Sequence, residues 1–264
     1  MKRTMVRTAV KAILFDLDET LILEKPVALR ALERTGRRAN DVAGVHAPEL
    51  RDRVLDRAGE LWRSTPAIDY CRRVGISSWE GLWCEFAGEN EDLVWLREWA
   101  PTYRFEAWSQ ALNDMGVDDE RLAQTLADDF VETRKGLFEY FPETIAILDE
   151  LKGAFRLVLA TNGASDLQRL KLETSGLAGY FDDVLVSGDV GFAKPHPHFF
   201  ENALRLANTA PEQTLMVGDN LRKDVAGAQE AGIRGIWVNR RDREPGEIQP
   251  FAEIGNLLEL RNFL

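Results

Sequence analysis

The 264-residue chain is short of cysteine, of histidine and of positive charge. Its two cysteines, Cys71 and Cys84, form no CxxC pair and no repeated spacing, which argues against a zinc cage or a disulfide framework and fits a reducing cytoplasm. His196 and His198 in "KPHPHFF" are flanked by prolines and read as loop and helix-start positions rather than metal ligands, and His46 has no partner pattern. No apolar run approaches the roughly eighteen residues of a membrane span, and "MKRTMVRTAVKA" lacks the apolar stretch of a signal peptide. The expectation is a soluble, cytoplasmic protein. Basic residues number 33 against 44 acidic ones, a formal charge of -11. A polyanion would meet a repulsive field, so nucleic acid and anionic membranes are disfavoured as partners and small molecules are favoured. Repeats and low-complexity tracts are also lacking.

What is present is ample core material, 45% hydrophobic residues, enough for one large domain or two modest ones. Five short apolar runs have the look of strands buried on both faces: "AILF" (12–15), "RLVLA" (156–160), "DVLVS" (183–187), "TLMVG" (214–218) and "GIWVN" (235–239). Helical patterns separate the later runs: "PETIAILDELKG", "ASDLQRLKLETSG", "PHFFENALRLAN" and "LRKDVAGAQEAG". The alternation predicts an α/β fold, a doubly wound parallel Rossmann-like sheet with right-handed crossovers.

Residues 24–136 differ, lacking β-runs and reading as amphipathic helices such as "PELRDRVLDRAGELW" and "DERLAQTLADDFVETRKG". Ser77 with Glu80 has the spacing of a capping box at a helix start. The expected organisation is a core of residues 1–23 and 137–264 with an all-helical insertion at 24–136. That insertion holds six of the seven tryptophans, read mainly as packing residues, while Cys71 and Cys84 are expected to be buried and inert. The tail "RRDREPGE" reads as a solvated loop after the last strand.

In an open α/β sheet, ligands bind beyond the carboxyl ends of the strands. The first run ends in Asp16, Asp18 and Thr20, the second in Thr161, Asn162 and Gly163, and the fourth in Asp219, with Asp224 one helical turn on. Lys194 follows the third run, and Pro195 biases it toward an extended conformation. Adjacent parallel strands bring these groups to one crevice. Two unit charges about 4 Å apart interact by roughly 4 kcal/mol at an effective dielectric of 20, so the four aspartates repel one another strongly. They call for a cation. Oxygen donors suit a hard divalent ion, and Mg²⁺ is favoured because it keeps waters and shares a substrate phosphate. Lys194 supplies a second positive charge for that phosphate, and Thr161 and the N–H groups near Gly163 can donate to it.

Taken together, "DLDET" (16–20), "TNG" (161–163), "KP" (194–195) and "GDNLRKD" (218–224) occur in the order of the four motifs of the haloacid dehalogenase-like hydrolase superfamily, which the chain resembles. The segment "DVAGAQEAGIRGIWVNR" is similar to its phosphatase branch, and the helical insertion occupies the position of a C1-type cap. The resemblance implies that Asp16 is the nucleophile, forming an aspartyl phosphate, a role a carboxylate can fill already ionised. It implies that Asp18 is the general acid and then the base. It implies a metal on the Asp16 carboxylate, the Asp18 main-chain carbonyl and the Asp219 carboxylate, with Thr20, Asn220 and Asp224 in support.

The expected activity is Mg²⁺-dependent hydrolysis of a small organic phosphate monoester. A 2-haloacid dehalogenase on the same scaffold is the first alternative, disfavoured because a halide leaves without a proton and Asp18 would have no task. A phosphotransferase or phosphomutase shares the aspartyl phosphate. A non-enzymatic binding protein using the tryptophan-rich insertion would not need the full catalytic set. The partner is expected to be a small phosphorylated metabolite, its identity and the oligomeric state being left open.

Overall fold

The computed structural model describes residues 9–264. In chain order the elements are β1 (Ala12–Phe15), α1 (Glu24–Ala43), α2 (Ala47–Arg63), α3 (Ile68–Val74), α4 (Ser78–Gly81), α5 (Glu91–Asn113), α6 (Glu120–Lys135), α7 (Thr144–Leu151), β2 (Arg156–Thr161), α8 (Ser165–Thr174), β3 (Asp183–Val186), α9 (Ser187–Val190), α10 (Pro197–Ala207), β4 (Thr214–Gly218), a π-helical turn (Leu221–Ala226), α11 (Gly227–Glu230), β5 (Arg234–Val238) and β6 (Ala252–Ile254), followed by a 3₁₀ segment (Leu257–Phe263).

All five expected strands form and pair in parallel, in the order β3-β2-β1-β4-β5-β6. The sheet is the doubly wound α/β fold read from the sequence. β1 is central and buried along its whole length, flanked in register by β2 and β4, with Phe15 opposite Leu159 and Val217. The sixth strand, β6, was not expected: it is three residues long and only Ile254 in it is buried, too short for an alternation to register. On one face, Ala12, Leu14, Val158, Met216 and Leu185 pack against Phe199, Phe200 and Ala203 of α10. Burying such side chains contributes about 1.5–3 kcal/mol each and holds the strand ends in a fixed frame.

The chain divides into two compact units. One contains the sheet and runs up to Ile22, then through Tyr140–Thr161 and Ser175–Leu264. The other is helical, comprising Leu23–Glu139 and, after β2, Asn162–Thr174 with all of α8. Its core is built on Leu50, Val54, Trp62, Trp83, Tyr103, Trp108 and Phe130. Trp62, Trp95, Trp99 and Tyr103 form one run of rings with centroids 4.7–5.9 Å apart, so these tryptophans serve packing. The Ser77–Glu80 capping box forms at α4, and both cysteines are free and buried. His196 is the N-cap of α10, as its flanking prolines imply. No helix among the described residues is long and apolar enough to cross a membrane.

Candidate active site

The chain leaves the sheet at Asp16, just after β1, and at Asp219, just after β4, which are neighbouring parallel strands. Lys194 reaches them from the loop before α10. Its ammonium donates to Asp16 Oδ1 at 2.6 Å, to Asp224 Oδ1 at 2.8 Å and to the Ala160 carbonyl at 2.7 Å. An ammonium has three N–H bonds, so these oxygens match its capacity. The sequence reading gave Lys194 a phosphate to hold. In the structure it also binds two of the four aspartates to the end of β2.

Thr20, wholly buried, ties motif one to motif four. Its hydroxyl donates to Asp16 Oδ2 at 3.2 Å and accepts from the Asp219 N–H at 3.0 Å. The turn between them contains Glu19 at φ 60, closed by the Leu21 and Ile22 N–H groups on the Leu17 carbonyl. Asp18 lies half-buried in this turn and bridges to Ile22. The Asn220 side chain caps the π-helical turn by accepting from Lys223 N, and Asp224 Oδ2 accepts from Asn220 N at 2.9 Å. Gly218 is required here by close approach: a Cβ on it would stand 2.3 Å from Asp224 Oδ2.

Asp16, Asp219 and Asp224 each offer a carboxylate oxygen, all within 4.8 Å of one another. Electrostatics agree with the donor chemistry. Burial pushes the Asp16 carboxyl up, and Asp224 adds to this against the pull of Lys194. Burial likewise raises Asp219, with Asp16 and Asp224 adding, to about 7. Burial disfavours the Lys194 charge, but Asp16 and Asp224 more than offset it and hold the ammonium above its ordinary range. Arg243, 3.6 Å from Asp219 Oδ2, lowers the Asp219 carboxyl without cancelling this rise, and a hard divalent cation fits a cluster of carboxylate oxygens in this condition.

A pH dependence follows. Asp219 in the folded chain keeps a proton that the unfolded chain releases near pH ~3.9, so this group makes the metal-free protein less stable as pH rises from ~4 to ~7. A divalent ion must displace that proton. Divalent-cation affinity measured by calorimetry is expected to be about tenfold weaker at pH 6 than at pH 8, with proton release at pH 6 visible as a dependence on buffer ionisation heat. Equal affinity at both values would show Asp219 ionised throughout.

Thr161 is buried at the end of β2, the strand beside β1. Asn162 and Gly163 fall in the helical unit, where Gly163 packs closely. Its φ of 135 disfavours other residues, and a Cβ would lie 2.6 Å from Glu80 Oε1 and 3.2 Å from Gln168. The Glu80 carboxylate is fixed in turn by Ser77, whose N–H and hydroxyl donate to Oε2 at 2.7 and 3.0 Å.

Sequence reasoning missed three arrangements. The "RRDREPGE" loop is not simply solvated: Arg240 pairs with Glu143, donates to the Thr20 carbonyl at 3.1 Å and covers the Phe141 ring at 3.6 Å. Arg243 and Trp237 both reach Asp219. In the helical unit, Arg134 and Lys171 are buried on Glu24, with the Arg134 guanidinium 4.2 Å from the Trp83 ring. Burial favours the neutral form of Glu24, yet Lys171 and Arg134 hold it below the usual carboxylate range. The one available signal was a lone Arg or Lys within a helix, which by itself reads as surface.

The doubly wound sheet and the lysine–aspartate cluster at the ends of its central strands give a Rossmann-like α/β protein with its site at the carboxyl edge of the sheet. The chain belongs to the haloacid dehalogenase-like hydrolases, whose family pattern matches residues 10–232. It is 40% identical over 252 residues to a phosphoserine phosphatase of Thermus thermophilus, covering 95% of this chain and 97% of that one. Among solved structures it is similar to a 2-haloacid dehalogenase of Pseudomonas syringae, with 30% identity, TM-score 0.59 and coverage of 96% and 97%. The hydrolase YfnB of Bacillus subtilis superposes with TM-score 0.67 over 97% of this chain and 99% of that one, at 24% identity.

Proposed function

We propose that the chain is a Mg²⁺-dependent phosphatase acting on a small organic phosphate monoester, with Asp16 as nucleophile. The observation that carries this reading is the joint fixing of Asp16 by Lys194 and Thr20, beside two further carboxylates able to hold a cation. The family and the similarity to a phosphoserine phosphatase support it.

Fixing both Asp16 oxygens, one by Lys194 and one by Thr20, orients the carboxylate for attack on phosphorus while Lys194 favours its ionised form. The P–O bond to the leaving group breaks as the aspartyl P–O bond forms. Asp18, two residues on and half-buried, gives its proton to the leaving oxygen. It then takes one from the water that attacks the acyl phosphate, and Asp16 is restored. Thr161, with the N–H groups of Asn162 and Gly163 that follow it, donates to the phosphoryl oxygens. Mg²⁺ held by the Asp16 and Asp219 carboxylates and the Asp18 carbonyl would neutralise phosphate charge and polarise the phosphorus, while Asp224 and Asn220 hold the shape of motif four. Residues 24–136 act as the cap and carry substrate choice. The protein works in the cytoplasm as a soluble enzyme.

The test is phosphate release from a panel of esters, with and without Mg²⁺. Phosphoserine, sugar phosphates and nucleoside monophosphates should span at least a tenfold range of kcat/KM, and chelation with EDTA should abolish turnover of all of them. Chloride release from 2-chloropropionate without metal, and no phosphate from any ester, would replace this reading by the dehalogenase one.

A further inference from the structure

Asp219 differs from the other acids of the cluster in how its main chain is held. Its carbonyl accepts two hydrogen bonds, from Trp237 Nε1 at 2.9 Å and from the Arg243 guanidinium at 2.8 Å. Its N–H donates to Thr20 Oγ1. Both main-chain polar groups of the residue are thus taken by side chains.

Trp237 stands on β5, the strand paired with β4, and is 1% exposed, so its indole is set by sheet packing. Position 237 is opposite Gly218, the residue before Asp219. The indole therefore meets the chain where β4 ends. Arg243 lies 5.5 Å from the Trp237 ring and 3.6 Å from Asp219 Oδ2. It is about half exposed and adds a second, more solvent-accessible donor to the same carbonyl. An indole N–H can only donate, and buried donors are paired in folded proteins. This pairing fixes the peptide plane from which the Asp219 side chain projects.

We infer that Trp237 is a positioning residue for the candidate metal centre, holding the Asp219 main chain so that its carboxylate meets those of Asp16 and Asp224. The inference rests on the proposed cation site but on no particular substrate. A carboxylate whose backbone is loosened has more orientations to lose when a metal binds, and the supporting shell of a metal site typically changes affinity by about 10–100-fold. The indole N–H bonds a main-chain carbonyl and not a carboxylate, so its loss is expected to act on metal affinity and to leave the chemistry of the loaded site intact.

The experiment compares wild type with Trp237→Phe, which deletes the N–H and keeps a ring. Mg²⁺ is titrated into metal-free protein by calorimetry, and the half-saturating Mg²⁺ for ester hydrolysis is measured alongside. The expected result is about tenfold weaker Mg²⁺ binding and a half-saturation raised by the same factor. At saturating Mg²⁺, kcat and KM for the ester should stay within twofold of wild type. If the smaller ring disturbs folding, β-(3-benzothienyl)alanine at position 237 keeps the indole shape without its N–H and must give the same shift. Unchanged Mg²⁺ binding in the well-folded variant, or a fall in kcat at saturating metal with affinity intact, would overturn the assignment. Wild type that binds no divalent cation would overturn the metal site, and the inference with it.

Discussion

Replacing Asp16 by asparagine is expected to lower phosphate release by about four orders of magnitude or more, because the side chain that must attack phosphorus is no longer nucleophilic. The substitution keeps volume and shape. Lys194 retains Asp224 and the Ala160 carbonyl, and one of three mutually repelling carboxylates loses its charge. The variant should therefore fold, with a melting temperature within a few degrees of wild type, so that loss of activity is separable from loss of structure. Kinetics on the best ester of the panel, with thermal melts of both proteins, check this. Activity within tenfold of wild type would assign the attack to another group.

Lys194→Met should have the largest effect on stability. It removes the ammonium shared by Asp16 and Asp224, carboxylates that are 8% and 1% exposed. Removing one partner of a buried ionic set typically costs about 3–5 kcal/mol, because the remaining charges are left uncompensated. The sign of the pH dependence can be worked out. Without Lys194, burial and the repulsion of Asp224 raise the folded-state Asp16 carboxyl further above the unfolded value of about 3.9. The folded variant then holds protons that the unfolded chain releases, so its deficit against wild type should shrink as pH falls from 8 toward 5. Urea denaturation at several pH values measures this. A deficit below about 1 kcal/mol at pH 8, or one that does not change with pH, would mean that Lys194 does not neutralise the cluster.

Asp16 and Asp219 were legible because each follows an apolar run, with Asp224 one helical turn on, and a parallel sheet collects the ends of its strands. Asp16, Asp219, Asp224, Thr20 and Lys194 do come together, joined by hydrogen bonds and ion pairs. The partners of these groups were less legible. Nothing in "FAKPH" shows that Lys194 binds Asp224 and a β2 carbonyl as well as Asp16, since those contacts depend on where three other segments end. "LRKDVAGAQEAG" reads as one helix, but the chain takes a π-helical turn over Leu221–Ala226 before α11. Asp224 turned back onto Asn220 N, with Gly218 close by, accompanies that departure. Trp237 read as a strand residue and Arg243 as part of a charged loop, because the acceptor they share, a main-chain carbonyl, leaves no mark in a sequence. The Arg134–Glu24–Lys171 group escaped for a related reason: its members come from three separate segments, and only folding places them on one another.

A crystal structure of the protein grown with Mg²⁺ and beryllium fluoride, a mimic of the phosphoryl group, addresses the central claim most directly. The account places the fluoroberyllate on an Asp16 carboxylate oxygen, with one Mg²⁺ shared by Asp16 and Asp219 and with Lys194 still paired to Asp224. A fluoroberyllate bound elsewhere, or a metal at a site that excludes both Asp16 and Asp219, would contradict it.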